Sequence, residues 1–209
     1  ARVRAVAEML LARQEAVGEC IVTPDENGKG WRIAQGDVSL EIQTDPVRVA
    51  LYRGETQVLA SDISEHEPAF GHDALDEADN AVWSAAFTLQ ADEHLYGLGE
   101  TTGDLNRRDE AIVSDDPDHR ALPLIWSPRG WGVYVNTMHR VHHDLGVAPT
   151  ASAYTLSVED NVLDVFLFIG DPSEILNQYT ALTGRAGQPV LWAMGVWLQQ
   201  AEGEMPTET

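Results

Sequence analysis

The residues best equipped for chemistry form one short stretch: Asp115, Asp116 and Asp118, followed by His119 and Arg120. Paired carboxyl groups can share the work of cleaving a glycosidic bond, one as acid and the other as nucleophile or base. A charge run on a loop is equally the ordinary make-up of a solvated face, and composition leaves both readings open. A second candidate, Tyr96-Gly97-Leu98-Gly99-Glu100-Thr101-Thr102-Gly103, invites a nucleotide reading. A dinucleotide fingerprint needs glycine where Thr102 stands and a strand-turn-helix around it, so a tight glycine turn is the better account. His139, His142 and His143 lie close in sequence, but a zinc site needs three or four converging ligands and no partner cluster stands out. No metal or cofactor is therefore expected. There is no Gly-x-Ser-x-Gly elbow for a serine nucleophile. Cys20 is the single cysteine, which excludes an intrachain disulfide framework and reads as a small hydrophobe.

The elements that must position these residues are drawn from 209 residues, 44% of them hydrophobic, enough for one sizeable core. Acidic residues number 34 against 13 basic, a formal net charge of −21, and Lys29 is the only lysine. Phosphate neutralisation needs Lys and Arg, so nucleic acid is excluded as a partner, and anionic membrane surfaces would repel the chain. No apolar run reaches the roughly 18 residues of a membrane-spanning helix. The default expectation is a cytoplasmic location.

Val3, Val6, Met9 and Leu10 recur at helical spacing before Gly18, which predicts an N-terminal helix or arm over residues 1–18. From residue 20 the period changes to two. Segments 20–23 and 31–34 flank an Asn27-Gly28 hairpin signal, and alternating runs follow at 38–42, 47–51, 57–61, 83–89, 132–136, 154–158 and 163–169. Many short strands with turn residues between them predict a mainly β chain, an antiparallel β-sandwich. Residues 163–169 are nearly continuously apolar and read as a central strand covered on both faces. Residues 61–80 are acidic and unpatterned and read as a solvated loop. Asp171, Pro172 and Glu174 open a capped helix with Ile175, Leu176, Tyr179 and Leu182 on its apolar face and Gly184 at its end. Residues 190–198 are another apolar strand candidate, and 199–209 a polar tail.

Several stretches resemble, in the same order, the N-terminal part of glycoside hydrolase family 31, the α-glucosidase and α-xylosidase family. They are Tyr96-Gly97-Leu98-Gly99-Glu100, Leu105-Asn106-Arg107-Arg108, Leu122-Pro123-Leu124, Gly130-Trp131-Gly132-Val133-Tyr134-Val135-Asn136 and Gly170-Asp171-Pro172. Tyr179-Thr180 with Leu182-Thr183-Gly184-Arg185, then Pro189 and Trp192-Ala193-Met194-Gly195-Val196-Trp197, complete the series. The resemblance implies a galactose-mutarotase-like sandwich over 19–170, a connecting helix and linker over 171–189, and the start of a (β/α)8 catalytic barrel over 190–209. The family's nucleophile and acid lie on later barrel strands. By that implication this chain holds no catalytic residue, should be inactive alone, and has the parent's barrel and its carbohydrate substrate as partners. The parent reaction implied is retaining hydrolysis of α-linked glucosides or xylosides. The resemblance also implies one substrate contact: a loop aspartate aligned with Asp116, with Asp115 as its rival because Val113 and Ser114 replace the family's aromatic and asparagine. The Glu100 turn would brace that loop rather than touch substrate.

Two other readings stay open. One is a stand-alone carbohydrate-binding sandwich with Trp31, Trp126 or Trp131 as a sugar platform. The other is a mutarotase-like enzyme using His94 with Glu100. Apolar residues 190–198 and the connecting helix also predict association into a homo-oligomer.

Overall fold

The computed structural model describes residues 18–25, 27–61, 69–74, 81–114, 121–147 and 152–196. The helix or arm expected before Gly18 and the polar tail lie outside them. Fourteen strands are described and they form three antiparallel sheets.

The first sheet is a five-strand meander: β1 (Ile21–Pro24), β2 (Gly30–Gln35), β3 (Val38–Thr44), β4 (Val47–Arg53) and β5 (Thr56–Ala60). The period-two pattern sets its register. Ile33, Leu40, Leu51 and Leu59 stand opposite one another on one face, while Arg32, Glu41, Ala50 and Ala60 line up on the other. The Asn27-Gly28 signal does mark a hairpin, β1 pairing β2.

The second sheet has the order β14-β11-β10-β8, formed by β8 (Tyr96–Gly99), β10 (Ala121–Ser127), β11 (Trp131–Val135) and β14 (Val165–Ile169). The third runs β6-β7-β13-β12-β9, with β6 (Phe70–Ala74), β7 (Ala81–Thr88), β9 (Ala111–Val113), β12 (Val141–Asp144) and β13 (Ala153–Val158). A single bridge, Ser61 to Phe87, ties the end of the first sheet to the third. One core fills the space between sheets, built from Leu51 and Leu59 of the first, Ile125, Trp131 and Val133 of the second, and Phe87, Tyr154 and Leu156 of the third. This is the antiparallel sandwich that the alternating runs predict.

A second, smaller cluster explains why β11 is buried at every position. The outer face of the second sheet is covered by α1 (Pro172–Thr183), which sets Ile175, Tyr179 and Leu182 against Leu124, Tyr134 and Phe168. Gly132 permits that approach, because a Cβ there would lie 2.9 Å from Ile175 Cγ2. The helix opens as expected. Asp171 accepts hydrogen bonds from the amides of Ser173 (2.8 Å) and Glu174 (2.9 Å), and Glu174 Oε2 accepts one from the amide of Asp171 (2.9 Å). These bonds hold the Asp171 carboxyl below its ordinary range, the amide of Glu174 contributing most. Leu176, counted with the apolar face, is in fact exposed.

Three expectations need correction. Residues 163–169 do hold a strand covered from both sides, but β14 is an edge strand, and β11 is the central one. Two-sided burial comes from α1, not from a neighbouring strand. The acidic stretch 61–80 contains β6, which is ordered by pairing to β7 and sets Phe70 against the core. Residues 190–198 do not read as a strand where they are described: Leu191–Met194 is one turn of 3-10 helix without a buried residue. Among the described residues, no strand pairs with it to take up its backbone groups. Among the described residues, no helix is long and apolar enough to cross a membrane.

Candidate functional site

Asp115 and Asp116 lie in residues 115–120, outside the described residues, so the structure speaks to the two ends of their segment. One end is β9, the edge strand of the third sheet, paired to β12 through Val113–His142 and Ala111–Asp144. Ser114 closes that end, its amide (2.9 Å) and hydroxyl (3.2 Å) both donating to the carbonyl of Val141. The other end is β10 in the second sheet, where Ala121 stands opposite Gly99. β9 and β10, the strands on either side of residues 115–120, thus belong to different sheets.

The turn 100–110, which leads into β9, is built as a hub. Arg107 is only 6% exposed. Its Nη1 donates to the carbonyl of Thr102 (2.8 Å) and meets Glu110 Oε2 (3.2 Å), and its Nη2 donates to the carbonyl of Thr101 (2.9 Å). The amide of Arg107 donates to the carbonyl of Leu95 (2.7 Å), and Asn106 Oδ1 accepts from the amides of Leu95 (3.0 Å) and Arg108 (3.2 Å). Glu110 and Leu145 then join the hub to the end of β12, the amide of Leu145 donating to the carbonyl of Glu110 (2.9 Å). Carbonyl and carboxylate acceptors at both terminal nitrogens offset the cost of burying this guanidinium. The Leu105-Asn106-Arg107-Arg108 stretch is thus an internal clamp. Arg107 and Asn106 hold this turn together, and the Glu100 side chain is exposed. Nothing in the spacing distinguishes a buried arginine from a solvated one, which is why residue types alone missed it.

The glycine turn has a backbone cause. Gly97, Leu98 and Gly99 all have positive φ (124°, 66° and 74°), and β8 shifts register against β10 at this point. A Cβ at Gly97 would lie 2.2 Å from the carbonyl oxygen of Leu124. Close strand approach, not phosphate binding, requires the glycine.

The histidines diverge. His142 Nε2 meets Glu159 Oε1 at 3.0 Å, His139 Nε2 lies 3.9 Å from Asp160, and His143 points inward to the hydroxyl of Tyr154 (Nδ1 to Oη 2.9 Å). Among the described residues, no three His, Cys, Asp or Glu converge. Of the tryptophans weighed as a sugar platform, Trp131 is buried with its Nε1 donating to Glu93 Oε1 (2.7 Å), so it cannot serve. Trp126 is half-buried and stacks on Tyr96 (4.8 Å between centroids), which stacks in turn on His94 (6.5 Å). Trp31 alone is openly exposed. His94 is engaged with that aromatic stack.

A three-sheet antiparallel sandwich of this kind, closed on one outer face by a helix, is the architecture of galactose-mutarotase-like domains. The glycosyl hydrolase 31 N-terminal galactose mutarotase-like domain matches residues 4–144, and the chain belongs to that family. An α-xylosidase of Emericella nidulans is 32% identical over 123 residues, 54% of this chain and 16% of that protein. An α-glucosidase 2 of Bacillus thermoamyloliquefaciens is 27% identical over 177 residues, 74% of this chain and 20% of that protein. The chain thus spans a fifth or less of these two relatives. Among solved structures, a glycoside hydrolase family 31 α-xylosidase from a soil metagenome, complexed with xylose, shares the fold with a TM-score of 0.71 at 19% identity, over 84% of this chain and 28% of that one.

Proposed function

We propose that this chain is the non-catalytic N-terminal domain of an α-glycosidase acting on α-linked glucosides or xylosides with retention of configuration. In this reading residues 19–170 are the sandwich, 171–189 connect it onward, and 190–209 open a catalytic barrel that carries the reacting carboxylates. The domain is a scaffold and a loop donor, and Asp116 is its substrate contact, with Asp115 the competing choice. The single cysteine fits a cytoplasmic setting.

The supporting observation is the mounting of residues 115–120. The strands on either side belong to different sheets, and the Arg107 clamp ties together the turn that leads into β9. Function tends to reside on loops held by such rigid supports. A carboxylate there can accept two hydroxyl hydrogen bonds from a sugar, and charge-assisted bonds exceed neutral ones.

The complete reading frame that contains these residues, expressed whole, tests this. It should hydrolyse an aryl α-glucoside or α-xyloside, and Asp116→Asn should lower kcat/KM by about tenfold to a hundredfold through lost charge-assisted bonds. Asp115→Asn should change it less than about threefold. A frame without a barrel, or an Asp116→Asn enzyme indistinguishable from the parent, overturns the proposal.

A further inference from the structure

Two hollows meet over β5, the last strand of the first sheet. One, about 270 Å³, lies on the polar face of β3–β5 against Glu41, Arg48, Tyr52 and Gln57. The other, about 330 Å³, follows the edge of β5 to Glu93 and Arg129. They share Gln57, Ala60 and Thr88 and so form one trough. The corner beneath it is rigid. Ser61 bridges to Phe87 of β7, its amide donates to the carbonyl of Val49 (2.8 Å), and its Oγ accepts from the amide of Val49 (3.1 Å).

Its polar groups are held in place before any ligand arrives. Arg32 meets Glu41 at 3.5 Å and donates to Ser39 Oγ at 3.0 Å. The Tyr52 hydroxyl donates to Gln57 Oε1 at 3.2 Å. Glu93, 3% exposed, accepts from Trp131 Nε1 (2.7 Å) and from the amide of Gln90 (2.9 Å).

The chemistry narrows the ligand. Each hollow is lined by one carboxylate and one guanidinium, Glu41 with Arg48 and Glu93 with Arg129, so an anion would meet Glu41 and Glu93, and a cation would meet Arg48 and Arg129. An apolar ligand would strip these groups of water without replacing their hydrogen bonds. A neutral polyol fits, because each hydroxyl both donates and accepts, and the Tyr52 ring offers one apolar face. We propose that this trough is a saccharide-binding site, its ligand one or two neutral sugar rings held by Tyr52, Gln57 and the flanking charged pairs. The inference rests on the trough's own chemistry and stands whether or not Asp116 contacts substrate. The trough sits at β7, and residues 115–120 leave β9, three strand spacings across the third sheet, about 14 Å.

The test titrates the 209-residue chain with maltotriose and with isomaltotriose, read by amide chemical shifts. Saturable binding in the millimolar range is expected for at least one, with shifts concentrated in β3, β4 and β5. Gln57→Ala removes an exposed amide, and Tyr52→Phe removes one hydroxyl while keeping the ring. Each should weaken binding about fivefold, the worth of one neutral hydrogen bond. Asp116→Asn should leave it unchanged, which separates this result from the fate of the loop proposal. The inference fails if neither trisaccharide gives saturable shifts at tens of millimolar, if Gln57→Ala and Tyr52→Phe bind as the parent does, or if glucose 6-phosphate or spermidine binds the trough as tightly.

Discussion

Among the described histidines, His143 is the one that the fold isolates most completely. It is 2% exposed, stacked on Tyr154, with Nδ1 on the tyrosine hydroxyl and Nε2 buried without a hydrogen-bond partner. Burial, reinforced by the neighbouring His142, pulls its pKa down to about 3, against 6.5 for an ordinary histidine. The native ring is therefore neutral across the physiological range. As pH falls below about 6.5 the unfolded chain takes up a proton that the native state refuses, so stability is lost at up to about 1.4 kcal/mol per pH unit, down to about pH 3. Above pH 6.5 this contribution is flat. Urea unfolding between pH 5 and 6.5 measures the slope before most carboxylates titrate. His143→Phe alone would strand the buried Tyr154 hydroxyl, so the informative variant is His143→Phe with Tyr154→Phe, which removes both partners. The double variant should show a shallower slope in that window, and an unaltered slope would assign the pH dependence to other groups.

Elements in which local pattern and tertiary setting agree were legible from sequence. β1 to β5 alternate cleanly because one face meets a core and the other meets water, and α1 carries its own start signal in Asp171, Pro172 and Glu174. Asp171→Ala should cost about 1 kcal/mol, measurable as a lower urea midpoint at unchanged slope, because two amides lose their acceptor. Gly97→Ala should cost more, since the φ of 124° and the 2.2 Å approach to Leu124 leave no room for a methyl group. Thermal unfolding of the two variants side by side checks that order. β6, β9 and β12 were not legible, because they have three to five residues each and take their order from partners distant in sequence. The Arg107 clamp was hidden for the same reason: its acceptors are backbone carbonyls, which residue types do not encode. Asp115 and Asp116 stand out in the sequence through family resemblance and charge, whereas the trough over β5 has no sequence signature because its residues come from five separate segments.

At the scale of the whole molecule two forces compete. The net charge of −21 makes copies repel one another, while Leu191 (89% exposed) and Trp192 (76%) stand in an apolar strip that continues through Met194 and Val196. A barrel following as proposed above would cover that strip; in the 209-residue chain taken alone a second copy can cover it. Repulsion between exposed charges reaches about 10 Å at 0.1 M salt and only about 3 Å at 1 M, whereas apolar burial is not screened. Association should therefore be weak at low ionic strength and strengthen as salt is added, the reverse of an interface held by ion pairs. Sedimentation equilibrium over a hundredfold range of concentration at both salt levels measures this. Trp192→Asp should keep the chain monomeric at 1 M salt, because the new charge sits at the centre of the strip and the residue makes no buried contact whose loss would disturb the fold. A parent chain that stays monomeric throughout would show that the strip is too small to overcome the charge, and association of the Trp192→Asp variant at the same strength would place the contact elsewhere, with the outer face of α1 next to examine.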